Sequence, residues 1–336
     1  EYAKSLSDYN QMALYSVNPG TDLNGDGDTY DSGEVGEYIG QGHDFNQNWA
    51  PVSSSYSGQQ YFSMWGDNTK SRFDASLLNE RENFFHKPIF GLNYYRNLSE
   101  TMKLSTVLYT SPGQGGGTGT YGDVARIDAD GKSDLELDGH KFYYGRSPWT
   151  WDWDGMIAAN SSAASSVVVF QKDTVSRGDK ESIGVLRNSQ NLQTVSGLIS
   201  KFDMDLNSNL KLGFGLDIRT AEIYHVKYIR DLLGGSYFVN TDSDFDAPGT
   251  QKGLGDPVDY NFTNYISWTG FYGQVLYSQG PINAFAMAGY SKTNFRHVNK
   301  FKDDGTGNKL ELEQKGLTGY QLKGGLRYSV SDAISL

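Results

Sequence analysis

The sharpest chemical signal in the sequence is Asp22-Leu23-Asn24-Gly25-Asp26-Gly27-Asp28. Carboxylate or amide oxygens at alternate positions followed by a tight glycine match the first half of a calcium loop, where a hard cation is wrapped by oxygen ligands. The closing bidentate carboxylate belongs at the position of Gly33; Glu34 stands one residue late, and Asp31 or a shifted loop could substitute. Two readings stay open. One is a structural Ca2+ site that stiffens a loop, held by Asp22, Asn24, Asp26, Asp28 and Glu34; the other is a solvated, turn-forming acidic loop. No other cofactor is required. Asp242, Asp244 and Asp246 repeat the acidic alternation without the glycine or the closing carboxylate, and Asp128 and Asp130 before Gly131 are weaker still.

Trp149, Trp151 and Trp153 recur at period two. On an extended segment they would share one face, an apolar platform able to stack on sugar rings, aromatic chelators or a partner protein. A loop folding onto its own tryptophans is the alternative. The five histidines, His43, His86, His140, His225 and His297, show no metal-ligand spacing. Enzyme signatures are missing: Gly131-Lys132-Ser133 mimics the end of a phosphate-binding loop, but Arg126 stands where its first glycine belongs, and there is no Gly-x-Ser-x-Gly or His-Glu-x-x-His. The expectation is a protein that is not an enzyme.

The chain has 336 residues, 40 glycines, 23 tyrosines, no cysteine and a formal charge of −11. Lacking cysteine, it has no disulfide scaffold and no thiolate metal site. Its acidic balance, without any basic run, argues against nucleic acid as a partner. No apolar run approaches the roughly 18 residues of a transmembrane helix, and the chain opens at Glu1 without a charged-then-apolar leader. A membrane β-barrel remains open, because strands that alternate between lipid and lumen keep mean hydropathy low.

Period-two alternation dominates the rest. From Thr318 to Val330 one face reads Tyr320, Leu322, Leu326, Tyr328 and the other Gln321, Lys323, Gly325, Arg327. Leu210, Leu212, Phe214, Leu216 and Ile218 alternate in the same way with Lys211, Gly213, Gly215, Asp217 and Arg219. Leu198, Phe202 and Met204 against Lys201 and Asp203 form a partner strand. The strand after Ile282 is ambiguous, since Phe285 and Met287 oppose Ala284, Ala286 and Ala288.

Asn97 to Glu100, Asp205 to Asn209, Gln279 to Pro281 and Val330 to Ala333 read as tight turns between alternating runs. Much longer connections, roughly 111–191, 226–261 and 298–309, alternate with them. Outer-membrane barrels have this asymmetry, and a spanning strand needs about 9 to 11 tilted residues. The expected fold is all-β: an antiparallel transmembrane β-barrel segment with short periplasmic turns and long extracellular loops, the barrel incomplete in this chain.

Residues 1–86 are expected to be an extracellular loop region leading into the barrel, with a short helix at Glu1 to Leu14, and residues 87–336 to supply seven strands and the start of an eighth. Lys211, Asp217, Arg219, Gln321, Lys323 and Arg327 are expected to face the lumen. Tyr94, Tyr95, Tyr109, Tyr265, Trp268, Tyr277, Tyr290 and Tyr328 would suit interfacial girdles.

Asn79-Glu80-Arg81-Glu82-Asn83-Phe84-Phe85-His86-Lys87-Pro88, followed by the hairpin Ile89 to Thr106 and the Gly-rich segment opening at Ser111-Pro112-Gly113, resembles TonB-dependent outer-membrane receptors of the group bearing a carboxypeptidase-regulatory-like domain. The resemblance implies a barrel of about 22 strands filled by a plug, residence in the cell outer membrane, and uptake of a scarce extracellular ligand. It also implies coupling to the inner-membrane TonB energy complex through an N-terminal part missing here, with a surface lipoprotein as a further candidate partner. A passive porin-like barrel shares every physical feature above, and a secreted all-β glycan-binding domain using the tryptophan loop is a third reading.

Overall fold

The structure, a computed structural model, describes residues 16–17, 25, 38–39, 48–62, 69–72, 74–127, 133–134, 150–163, 167–170, 173–331 and 334–336. The expected helix at Glu1 to Leu14 lies outside them. The dominant element is one antiparallel sheet. Its strands in chain order are β1 (Asn83–His86), β2 (Phe90–Asn97), β3 (Met102–Gly122), β4 (Gly184–Asp205), β5 (Leu210–Asp231), β6 (Pro257–Gln279), β7 (Ile282–Asp303), β8 (Lys309–Ser331) and β9 (Ile334–Ser335). They lie side by side in the order β9-β8-β7-β6-β5-β4-β3-β1, with β2 also paired to β3. The described sheet does not close on itself.

Three of the four tight turns fall where the sequence places them, and the fourth, Val330 to Ala333, lies in part outside the described residues. Gln279 pairs with Ile282, so Gly280 and Pro281 form the whole loop, and Gly280 takes a φ of +55° that only glycine adopts cheaply. The strands, however, outrun the expected spanning length: β4 and β5 each hold 22 residues and β6 holds 23. The segment from Ser111 onward, expected as a Gly-rich loop, belongs to β3 as far as Gly122. Glycine there creates room rather than a turn. A Cβ on Gly116 would come within 3.0 Å of Asn188 Oδ1 and 2.9 Å of the Phe84 ring, and one on Gly119 within 2.5 Å of the Arg187 guanidinium.

The described residues form two compact units. The first takes them from Glu1–Phe84, Gly116–Gln190 and Val226–Tyr260. It is built as a globule, with one core around Ala50, Leu78, Trp151, Trp153, Met156 and Leu186, and a second around Val185, Ile229, Phe238 and Val258. Neighbouring residues of an extended strand point to opposite sides, so Leu186 and Val185 feed different cores. The helix α1 (Trp153–Ser161) completes the first core, its start fixed by Asp152, whose Oδ1 accepts from Gly155 N at 3.0 Å.

The second unit, Phe85–Gly115, Asn191–His225 and Asn261–Leu336, is a wall of strands. Phe301 is its single buried hydrophobic residue among the described residues. With the exception of Phe245, every large exposed apolar side chain among the described residues belongs to this unit.

Candidate functional site

The two faces of the wall follow from strand register. β6–β7 pairing sets Val275 beside Ala286 and Tyr272 beside Gly289; β7–β8 pairing sets Ala284 beside Leu326 and Met287 beside Lys323. β2–β3 pairing sets Leu92 beside Leu108. Side-chain contacts carry the faces across the remaining strands. Thr106 and Ser200 hydroxyls meet at 2.8 Å, the Phe202 and Phe214 rings lie 6.4 Å apart, and Gly273 lies under the Phe214 ring.

One face is apolar for about nine residues from each tight turn. It carries Met102, Leu104 and Leu108; Met204, Phe202 and Leu198; Leu210, Leu212, Phe214, Leu216 and Ile218; Tyr277, Val275 and Phe271; Ala284, Ala286, Ala288 and Tyr290; and Tyr328, Leu326, Leu322 and Tyr320. No charged side chain interrupts this band on β3 to β8. Its far margin is a row of rings crossing three strands, with Phe271 5.4 Å from Tyr290 and Tyr290 5.4 Å from Tyr320. Tyr277 and Tyr328 mark the turn-side margin. The side chains are uncovered: Leu322 is 84% and Leu326 72% exposed.

The opposite face gathers Lys201, Asp203, Lys211, Asp217, Arg219, Gln321, Lys323 and Arg327. Lys201 pairs with Asp203 at 2.9 Å and Lys211 with Asp205 at 3.2 Å. Arg219 grips Asp217 through two bonds, Nε to Oδ1 at 2.8 Å and Nη2 to Oδ2 at 2.6 Å. Such exposed pairs contribute only about 0–1 kcal/mol each; their effect is to keep this face wet. Arg327 donates to Ser335 Oγ at 2.8 Å.

This charged face also carries apolar groups, and glycines accommodate them. The Tyr272 ring lies over Gly215, Tyr109 over Gly197 and Phe285 over Gly325, while Gln274 covers Gly213. A Cβ on Gly215 would stand 1.9 Å from the Tyr272 ring. The register resolves the ambiguity on β7 in this way: Phe285 and Met287 belong to the charged face, and Gly325 makes the space for Phe285. It also corrects part of the girdle. Tyr94, Tyr265, Tyr277, Tyr290 and Tyr328 share the face that carries the apolar band, whereas Tyr95, Tyr109 and Trp268 sit on the opposite one, because Tyr95 pairs with Ser105 and Trp268 with Thr293.

The remaining sequence candidates fall elsewhere. Asp22, Asn24, Asp26, Asp28 and Glu34 lie outside the described residues, and of that loop only Gly25 is described, at φ +79°. Trp149 also lies outside. Trp151 and Trp153 do not form an exposed period-two platform: they are 5% and 1% exposed, stacked 5.5 Å apart, with Trp153 Nε1 donating to Leu78 O at 3.0 Å. The helix starting at Trp153 ends the extended geometry that a shared face needs.

Asp242 accepts from Tyr121 Oη at 2.6 Å and Asn240 Nδ2 at 2.5 Å, and Asp246 pairs with Lys252 at 2.6 Å. Burial raises the Asp242 carboxyl, but these bonds and one from Asp259 N outweigh it and hold the group below its ordinary range. Among the described residues no cluster of three or more His, Asp or Glu could hold a metal. His225 and His297 flank the Phe262 ring at 4.7 and 5.2 Å, and their Nδ1 atoms pair with Asn191 and Asn264.

The decamer beginning at Asn79 does more than admit the chain to a strand. Thr118 Oγ1 donates to Glu80 O at 2.8 Å and accepts from Glu82 N at 2.7 Å, and the Glu80 carboxylate, 1% exposed, accepts from Thr120 N at 3.2 Å. Arg230, equally buried, donates to Asn79 O at 3.0 Å and to Gln60 Oε1 at 2.9 Å. Beside it Asp231 accepts from Tyr56 Oη at 2.5 Å and Gln60 Nε2 at 3.2 Å. Burial pushes the Asp231 carboxyl up, against the pull of these donors. The decamer is thus latched to β3 through Glu80 and Glu82 and to β5 through Asn79, with the Glu82 carboxylate 4.0 Å from Arg230. Sequence reasoning missed this network, which joins residues some 40 to 170 positions apart.

No family model matches the chain, and no curated protein matches it. Among solved structures, the ferric citrate transporter FecA in its unliganded form is similar with a TM-score of 0.41 at 9% identity, over 74% of this chain and 26% of that one. The outer membrane transporter YddB from Escherichia coli gives a TM-score of 0.25 at 12% identity, over 73% of this chain and 32% of that one. The chain therefore spans between a quarter and a third of the proteins it resembles in structure.

Proposed function

We propose that this chain is part of an outer-membrane β-barrel transporter, its uncharged face against lipid and its charged face lining a wet lumen. The observation that supports this is the apolar band. About nine residues of tilted strand match the hydrocarbon thickness a barrel strand must cross, and the band starts at the same distance from every tight turn and ends in a row of aromatic rings. A soluble sheet would bury such a face against a second layer. In this reading Lys211, Asp217, Arg219, Gln321, Lys323 and Arg327 meet water and whatever fills the lumen, and the sheet edges at β2 and β8–β9 continue into further strands, since lipid tolerates no unpaired edge.

The TonB-dependent form of transport, with a plug, an inner-membrane energy complex and a scarce extracellular ligand, rests on the resemblance carried by the segment from Asn79 to Pro88. The buried latch it forms gives Glu80 and Glu82 a structural reason, whichever ligand is carried.

Leu212→Arg or Leu326→Arg should block membrane assembly, because a charge at the lipid midplane costs about 2–4 kcal/mol, whereas Lys211→Gln should assemble normally. Heat-modifiable migration of the protein in isolated membranes reads both. Equal behaviour of the two classes would remove the facing assignment and the transporter reading with it.

A further inference from the structure

Immediately beyond the aromatic row, the lipid-side face changes character. The rings Phe271, Tyr290 and Tyr320 give way to Thr220, Ser267, Thr269, Lys292, Asn294 and Thr318. On β7 the same face then carries Arg296 and Lys300, so Lys292, Arg296 and Lys300 form a cationic stripe at four-residue spacing in a chain whose net charge is −11. A groove of about 560 Å³ runs across this level, lined by Thr220, Tyr265, Ser267, Asn294, Arg296 and Lys315, with Glu222 and Glu313 also on its wall.

We propose that this groove binds the phosphate-bearing headgroup of a membrane lipid whose acyl chains lie down the apolar band. The inference rests on the membrane-spanning reading and adds a site to it. Three features of the groove carry it.

The first is charge and its geometry. Arg296 spends Nε and Nη2 on Glu311, and its guanidinium sits 5.1 Å over the Tyr265 ring. That arrangement fixes the guanidinium and leaves Nη1 for a ligand oxygen. A planar guanidinium held by a carboxylate and a ring is well suited to phosphate, which it meets with directed donors. Lys315 reaches the same groove and is 73% exposed despite its pairing with Glu313. Lys292 stands nearest the aromatic row, and Lys300 lies 4.0 Å over the Tyr224 ring.

The second is hydroxyl chemistry. Thr220 and Tyr265 offer neutral donors and acceptors beside the cations, and Ser267, whose oxygen accepts from Asn294 Nδ2 at 3.1 Å, keeps its hydroxyl proton to donate, matching a headgroup that carries hydroxyls as well as phosphate. The third is continuity. Between the groove and Ile218, Phe271 and Tyr320 the face carries no charge, and on β7 only Lys292 stands between it and Tyr290, so one amphiphile satisfies both regions at once. A free phosphate ion would use the cations and leave the adjoining apolar rows uncovered. Glu222 and Glu313 limit how much anionic charge the site accepts and favour a single phosphate seated toward Arg296 and Lys292.

The test uses the full-length protein extracted from membranes into a neutral detergent. It is titrated with dioleoylphosphatidic acid or with dioleoylglycerol, which has the same chains without the phosphate, and occupancy is read by native mass spectrometry. The phosphatidic acid should bind about tenfold more tightly, the gain expected of charge-assisted hydrogen bonds. The double variant Arg296→Ala with Lys315→Ala, and separately Lys292→Ala, should lower that preference, and Lys70→Ala should leave it intact. Excess inorganic phosphate should not displace the lipid.

An unchanged preference in the double variant, or displacement by inorganic phosphate, overturns the lipid site. Extraction of the protein from membranes by alkaline carbonate would remove the spanning reading and the site together; resistance to carbonate combined with unchanged lipid preference would remove the site alone.

Discussion

In the first unit Leu78, Trp153, Met156 and Leu186 are sealed from solvent, at 1% exposure or less, and the buried Arg230 and Asp231 are held by hydrogen bonds. In the second unit Phe214, Leu322 and Leu326 stand uncovered on one face, and Lys211, Arg219 and Lys323 occupy the other. The same strands, β1 and β3 to β6, contribute residues to both units. Strand geometry alone therefore does not decide which side of a sheet is a core. What decides it is whether a second layer is supplied: the first unit has α1 and the segments around Ala50 and Leu78 to cover Leu186, and the band on the second has no cover among the described residues. Lipid is the solvent that makes such a face stable, because it removes apolar area from water at roughly 25 cal/mol per Å² without any protein partner.

Mutations of matched type can sharpen this contrast. The largest effect is expected at the first unit's core. Trp153→Ala removes a ring that is 1% exposed and a hydrogen bond to Leu78 O, and large-to-small changes of this kind cost about 3–5 kcal/mol. Limited proteolysis of the folded protein should cut the variant within 48–84 under conditions that leave the parent intact.

An intermediate effect is expected where two strands interlock on the charged face. Gly215→Val drives a side chain into Tyr272, and overpacking costs about 1–3 kcal/mol. Adding Tyr272→Ala should restore assembly by clearing the space, measured by the same heat-modifiable migration; no rescue would mean that the ring is not what the glycine accommodates. The smallest effect is expected at Leu322→Ala. That residue is 84% exposed, so its truncation opens no cavity in a packed core and assembly should be near normal. A loss as large as that of Trp153→Ala would place Leu322 in a packed core and erase the difference between the units.

Much of the wall was legible in the sequence because alternation needs only neighbours two apart. Leu210 to Ile218 and Thr318 to Val330 announce their faces without reference to any other strand, and the tight turns at Asp205 to Asn209 and Gln279 to Pro281 carry their own Asn, Gly and Pro chemistry. The glycine-rich run from Gly113 to Gly119 was illegible for the opposite reason. Glycine disfavours strands locally, and its use here is visible only when Phe84, Asn188 and Arg187 are brought beside it by pairing.

Trp151 and Trp153 misled in a different way. Two indoles at period two look extended, yet Asp152 between them caps a helix and sends both rings into one core. Phe285 and Met287 could not be assigned to a face from β7 alone; Gly325 on the neighbouring strand settles them. The polar groove around Arg296 was equally hidden, since its lining comes from five strands.

The absence of cysteine makes the central claim directly measurable. Single cysteines placed at Gln321, Leu322, Lys323 and Leu326 can be spin-labelled in the membrane-embedded protein, and collision with dissolved oxygen compared with collision with a water-soluble paramagnetic complex. Labels at Leu322 and Leu326 should meet oxygen and labels at Gln321 and Lys323 the aqueous reagent, in strict alternation. Aqueous contact at all four positions, or the reverse alternation, would contradict the account.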